Sequence, residues 1–474
     1  MPTSRRIYLL DPQQLDPETI AVTFAKTSRS PQSFQEIAQE LTAEKSADFH
    51  EKWVVGYGHA SVAEHAVLHV AIENISRLAV ESLESNRLAS YTEKSSRYQK
   101  WDPNSFVIPP ELQSHSFLNQ YTETCRHLNE AYQQALPILR ETTAQENPRQ
   151  LEENDAAWER RLRSEYIDVA RFYLPAASLA NVGMTINARA LEHALRKMLS
   201  HPLQEVRDAG QEIKQVALST LPTLIKYADA VPYLQKVQSE LQKETIAINI
   251  DHQKEDWCSL VHFDRQVEER ILAAALFRFG DSSYTQTLEQ IQALPASEKE
   301  RLAQLLFENL VRYDTPIREL EYGFFVFDLT LDQGAYFELK RHRMMTQTPQ
   351  QLTTHLGYVL PSMLVRAGLE DHFRKAMQTA RQSYEELEKQ NPHLAAYLVP
   401  NAFNRRVLLS TNLRSLRHLV QLRTAPNAHF SIRRIAARMA ELTSQSTPLF
   451  GKLLFQTELP DWREIEHQYF SQTA

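Results

Sequence analysis

The chain has 474 residues, with 52 Lys and Arg against 59 Asp and Glu, a formal net charge of −7 and only 10 glycines. Glycine at about 2% of the chain, where ~7% is ordinary, excludes glycine-rich phosphate cradles and the dinucleotide fingerprint, so any bound nucleotide must be held by side chains. The mildly acidic balance argues against a nucleic-acid binder, and the absence of a membrane-length apolar run or a signal-peptide core sets the expectation of a cytoplasmic protein without a membrane partner.

In chain order, the segment Glu18–Phe24 and, after a Ser/Pro break, the helical Phe34–Leu41 open the first half. Next come Gly58-His-Ala-Ser61-Val-Ala-Glu64-His65, a strand-like stretch, and Ser85-Asn86-Arg87 running into Glu93-Lys94-Ser95-Ser96-Arg97. His59 and His65 have neither an HExxH frame nor nearby cysteines, and Cys125 and Cys258 lack ligand spacing, so no metal is expected and the thiols read as inert. The charged stretch Glu141–Glu165 reads as a solvated helical face. Arg171 follows in Ala-Arg-Phe-Tyr-Leu-Pro175, and Asn187-Ala-Arg189 with His193 opens a late helix. The polar region Lys236–Trp257 reads as a linker or a helix tail.

The same order then returns. Glu269–Phe277 and, after Gly-Asp-Ser-Ser, Tyr284–Ile291 echo the first segments. Phe325, Phe327, Leu329 and Leu331 alternate with Val326, Asp328 and Thr330, the period-two pattern of a half-buried strand. Arg341-His342-Arg343 occupies the place of Ser85-Asn86-Arg87, and Pro349, Gln351 and Thr353 that of Glu93, Ser95 and Arg97. Leu409, Leu413, Leu416 and Val420 are expected to form the core stripe of the second late helix, with Arg414 and His418 on another face. Asn412, Arg414 and His418 each lie 225 residues after Asn187, Arg189 and His193. The chain is therefore read as two tandem repeats, over 1–240 and 255–474.

The order GHxSxxEH, then RHR with an ExSxR loop, an Arg before Leu-Pro, an NxR and a final Leu-x-Leu-Arg resembles the flavin-dependent thymidylate synthase family, twice over. The resemblance implies an α+β, helix-rich fold in which each repeat has a mainly antiparallel sheet and long helices. It implies FAD as cofactor, dUMP as substrate, and NADPH and methylene-tetrahydrofolate as co-substrates, with tandem chains pairing as a homodimer that mimics the family's tetramer. Carried over by motif, the FAD set is Arg341, His342, Arg343, Asn412, Arg414, His418, Ser61 and Glu93. The dUMP set is Glu93, Lys94, Ser95, Ser96, Arg97 and Arg171. Arg423 in Gln-Leu-Arg and Ser95 are the catalytic pair, Arg423 polarising the uracil.

The motif residues are divided between the repeats. The first keeps Glu93, Ser95, Arg97 and Arg171, has Ser85-Asn86-Arg87 for RHR, and places Met198 near the final Arg. The second keeps Arg341, His342, Arg343, Asn412, Arg414 and Arg423, but has Ala396 before its Leu. One composite site is expected to survive and one to be dead. Two positions depart from the family: its Gln before RHR is Glu338 or Ser82, and an Asn of the late helix is His193 or His418. A carboxylate at Glu338 is expected to need Lys340 or Arg341 as partner. The rival readings are a non-catalytic flavin- or nucleotide-binding paralogue and a structural partner that binds neither.

Overall fold

The computed structural model describes all residues except 1–5, 7, 29, 99–100, 249–255, 312–313, 456–458 and 472–474. Its backbone forms two compact units that are interleaved in sequence. One comprises Met1–Ser95, Phe106–Leu118 and Ala177–His252; the other comprises Ser96–Ser105, Asn119–Ala176 and Gln253–Ala474. The sequence repeats and the compact units thus do not share boundaries, because segments of the first repeat pack into the unit that holds the whole of the second.

The first unit has a three-stranded antiparallel sheet in the order β1-β3-β2, with β1 Val67–Ser76, β2 Ala89–Glu93 and β3 Leu179–Asn187. The second has β4 Cys258–Phe263, β5 Phe325–Asp332, β6 Thr346–Pro349 and β7 Asn404–Thr411 in the antiparallel order β4-β5-β7-β6. The shared order, with the late strand between an early and a middle one, is the repeat made visible. In β5, Phe325, Phe327, Leu329 and Leu331 are fully buried and the residues between them only half so, as the alternation requires.

Helices dominate the remainder, and their ends repeat as well. Ser33 and Ser283 both close capping boxes, onto Glu36 and Gln286, at the helices Phe34–Glu40 and Tyr284–Ala293. Asn187 and Asn412 both cap late helices, accepting from the backbone N–H of Ala190 and Ser415 at 2.9 Å. These helices, Ala188–Leu199 and Leu413–Arg423, begin one residue after each Asn. The expected stripe on the second holds for Leu413, Leu416 and Val420, whereas Leu409 lies in β7. It is buried there by strand alternation, which happens to fall in phase with the helix that follows.

Within the second unit, two long helices, Leu118–Glu146 from the first repeat and Glu370–Glu388 from the second, run antiparallel. Thr124 meets Ser383 at 2.8 Å near one end and Gln134 meets His372 at 3.2 Å further along. Beside them Pro175 bridges Pro400. The Ala176 N–H donates to the Val399 carbonyl at 2.9 Å and the Asn401 N–H to the Leu174 carbonyl at 3.0 Å. Each bond is the other's image under the 225-residue shift, so a local pseudo-twofold relates the two repeats here. Cys125 and Cys258 are buried free thiols, pushed up by burial, and no helix among the described residues is long and apolar enough to cross a membrane.

Candidate functional site

The helix Gln333–Leu339 starts at Asp332, whose carboxylate accepts from the Ala335 N–H at 2.8 Å, and ends at Lys340. Arg341-His342-Arg343 forms the turn from this helix into β6, where Gln347 donates to the Leu339 and His342 carbonyls at 3.2 and 3.1 Å and fixes the turn. Arg341 is exposed, Arg343 half-buried and His342 buried. A turn at a helix C-terminus favours cations even before any ligand is considered.

Arg423, at the end of the late helix, donates from Nε to His342 Nε2 at 3.0 Å and from Nη1 to Glu338 Oε2 at 2.8 Å. Burial, and then Arg423, His418 and Arg341, push His342 down to about 3, so its ring is neutral at physiological pH. Accepting at Nε2 leaves its hydrogen on Nδ1. The His418 ring lies 5.8 Å from that of His342. The expected partner of Glu338 is corrected by this geometry, since its carboxylate reaches Arg423 from one helix turn before the RHR. Asn412 caps the late helix, as described, and Arg414 donates to the Pro316 carbonyl at 3.0 Å and to Glu321 at 2.6 Å. Both residues thus have scaffold bonds independent of any cofactor.

The same unit contains the arginines of the first repeat. Arg97 grips Asp168 with Nε at 2.8 Å and Nη2 at 2.5 Å, and Arg171 donates to the same carboxylate and to Ser96 Oγ, the latter at 2.9 Å. Asp168 is buried, which pushes its pKa up, but Arg171, His429 and Arg97 outweigh burial and hold it below the usual carboxylate range. Two cations and one anion leave net positive charge here. His429 Nδ1 accepts from the Ser431 N–H at 3.2 Å, so Nε2 carries the hydrogen and donates to the Asp168 carbonyl at 3.2 Å. Arg97 Nη1 reaches the Asn427 carbonyl at 3.4 Å, four residues past Arg423. Sequence reasoning missed Asp168 and His429. The i,i+3 spacing of Asp168 to Arg171 was the one signal available for the first.

The first unit holds the other site residues. Glu93 forms a buried ion pair with Arg77 at 3.1 Å, and Lys94 and Ser95 are exposed. Ser61 is exposed on the short 3₁₀ helix Ala60–His65. At the first repeat's counterpart of RHR, Lys197 donates to Ser85 Oγ at 2.7 Å and Asn86 Oδ1 at 3.3 Å. Lys197 therefore stands where Arg423 stands in the second repeat, one residue before Met198. Arg189 pairs with Glu64 as Arg414 does with Glu321.

The model of the family described as thymidylate synthase complementing protein matches this chain twice, over residues 9–226 and 259–449. A "UPF0159 protein" of Chlamydia muridarum is 32% identical over 437 residues, 88% of this chain and 82% of that protein. A flavin-dependent thymidylate synthase of Clostridium tetani is 29% identical over 215 residues, which is 82% of that enzyme but 45% of this chain. A solved flavin-dependent thymidylate synthase from Helicobacter pylori, complexed with FAD and dUMP, aligns at 20% identity with 42% of this chain and 99% of that one, with a TM-score of 0.30. The double match, covering most of the chain, places this helix-rich α+β chain in the thymidylate synthase complementing protein family, as a tandem of two family repeats.

Proposed function

We propose that the chain is a flavin-dependent thymidylate synthase with one working composite site, carrying out reductive methylation of dUMP to dTMP with methylene-tetrahydrofolate, FAD and NADPH. The observation that carries this reading is the gathering, in one compact unit, of Ser96, Arg97 and Arg171 from the first repeat with Arg341, His342, Arg343 and Arg423 from the second. The donor set suits the cofactor. A diphosphate needs cations, and Arg341 and Arg343 flank a neutral His342 on a fixed turn. Charge-assisted contacts of this kind contribute on the order of 1.5–3 kcal/mol each.

Bound and reduced, the flavin supplies the hydride. The chain's own residues bind and orient. Asp168 locks the Arg97 and Arg171 forks, so their geometry for a nucleotide phosphate is set before binding. Glu338 and His342 aim Arg423, whose guanidinium stabilises charge developing on the uracil. By motif, Glu93, Lys94 and Ser95 belong to the dUMP set, and Glu93 and Ser61 to the FAD set. The assembly is a homodimer of tandem chains working in the cytoplasm. The test is whether purified protein is yellow and whether dUMP perturbs its flavin spectrum; a colourless protein that takes up neither ligand refutes the reading.

The non-catalytic paralogue has one specific observation in its favour. The Glu338–Arg423 ion pair cancels the charge meant to polarise the substrate. Formation of dTMP with the full set of co-substrates separates the two readings, since the paralogue binds without turnover.

A further inference from the structure

The family match ends at residue 449, yet the chain continues into the helix Trp462–Tyr469 and an extended Phe470–Ser471. This segment is firmly held. Arg434 lies between the rings of Trp257 and Phe470, 4.3 and 4.1 Å from their centroids, and Trp462 donates to Glu441 at 2.7 Å. Ser362 Oγ donates to the Gln468 carbonyl at 2.6 Å, and the Ser471 N–H donates to the Leu360 carbonyl at 2.9 Å.

What the segment presses on is informative. The Tyr469 ring stacks on Phe430 at 4.9 Å, 5° from parallel, and Phe470 meets the same ring edge-on at 5.4 Å. Phe430 in turn stacks on His429 at 4.3 Å, and Phe172, the neighbour of Arg171, packs edge-on against His429 at 5.5 Å. His429 holds the Asp168 carbonyl, and the Asp168 carboxylate holds Arg97 and Arg171. An unbroken run of ring contacts and hydrogen bonds joins the added segment to the two arginines.

We infer that the segment Trp462–Ser471 is a clasp whose positioning residue, Tyr469, sets the Arg97–Asp168–Arg171 anion grip through Phe430 and His429. This deepens the proposed function and rests on it for the identity of the nucleotide. The clasp itself does not require that identity. A family member lacking this segment would have to hold its His429 counterpart by other means.

The experiment has two arms, on the intact chain. In the first, without nucleotide, phenylglyoxal labelling of individual arginines is followed by mass spectrometry. Tyr469→Ala should speed labelling of Arg97 and Arg171 several-fold and leave Arg140, in its exposed pair with Glu159, unchanged, while Tyr469→Phe, which keeps the ring, should label as wild type does. In the second arm, Tyr469→Ala should weaken dUMP up to about tenfold, the factor ~1.4 kcal/mol represents, with FAD affinity unchanged. Unchanged labelling at Arg97 and Arg171, or an equal rise at Arg140, overturns the clasp. Wild-type protein that fails to bind dUMP overturns the proposed function instead, and the labelling still decides the clasp.

Discussion

The two repeats can be compared residue by residue, and they differ in a patterned way. Where a polar residue supports the scaffold, both keep it, or exchange it with its partner. Asn187 and Asn412 cap equivalent helices, and Arg189–Glu64 matches Arg414–Glu321. The cap Ser76 donates to Glu205 at 2.6 Å, whereas the cap Asp332 accepts from Ser431, so hydroxyl and carboxylate have traded places. Arg77 pairs with Glu93 in the first repeat. In the second, the corresponding positions are Gln333 and Pro349, and an arginine enters from β7 instead, Arg405, which donates to the Gln350 carbonyl at 2.7 Å and to Gln333 at 3.4 Å. Buried polar groups demand partners, so such positions change in pairs or not at all.

The turn before the middle strand obeys a different rule. In the second repeat Arg341-His342-Arg343 stands with Arg423, and in the first Ser85-Asn86-Arg87 stands with Lys197. The first repeat's turn thus has one guanidinium fewer, Ser85 standing for Arg341, and on the proposed function that weakens its hold on an anion.

The largest effect expected from this contrast is in flavin binding. Titrating FAD into apoprotein of known concentration should end at one per chain. Arg343→Ala should lower affinity by at least tenfold and bleach the protein, whereas Arg87→Ala should leave it yellow. An endpoint of two per chain, or equal loss from both variants, would break the comparison.

Next in size is the nucleotide grip. Arg97→Ala removes a bidentate partner of Asp168 and, on the proposed function, a cation for the substrate phosphate, so dUMP affinity should fall at least tenfold, the factor ~1.4 kcal/mol represents. Substitution of Thr353, its counterpart in the second repeat, should be nearly silent in the same binding assay.

How much of this was legible in the sequence follows from the range of the interactions. The β5 strand and the repeat itself were readable because alternation and a fixed offset are local or periodic. Leu409 misled because a strand and a following helix can agree in phase for one residue. Asp168, His429 and the Glu338–Arg423 pair were not readable, since each rests on a contact 71 or more residues away, apart from the Asp168–Arg171 spacing. The interleaving of the compact units is of the same kind. Packing decided it, and no composition shift at residues 96, 119 or 177 announces it.

His342 and Asn86 sharpen the comparison through pH. The histidine's folded value of about 3 lies below its unfolded ~6.5, so the unfolded chain binds the proton first as pH falls. Its contribution to stability is therefore complete above pH ~6.5 and is lost at up to about 1.4 kcal/mol per unit on descending toward 3. Denaturant unfolding of His342→Asn, which installs the first repeat's residue, should lack that increment while sharing the rest of the acid limb. Asn86→Ala should not alter the pH slope at all.

The smallest effect tests the resemblance where it and the structure assign different work. By motif, Asn412 belongs to the flavin set; by geometry, it caps a helix as Asn187 does in a repeat where Ser85-Asn86 stands for Arg341-His342. A residue retained for the cofactor alone would have no reason to persist at the equivalent position beside Ser85-Asn86-Arg87. Each Asn→Ala change should therefore cost about 1 kcal/mol of unfolding free energy, the ordinary loss of an N-cap, and Asn→Ser should restore most of it. FAD affinity should stay within about twofold in both alanine variants, measured by flavin fluorescence under conditions where the protein is fully folded. A flavin defect in Asn412→Ala that Asn187→Ala lacks, and that Asn412→Ser does not relieve, would return Asn412 to the cofactor and confine the scaffold rule to Arg189 and Arg414.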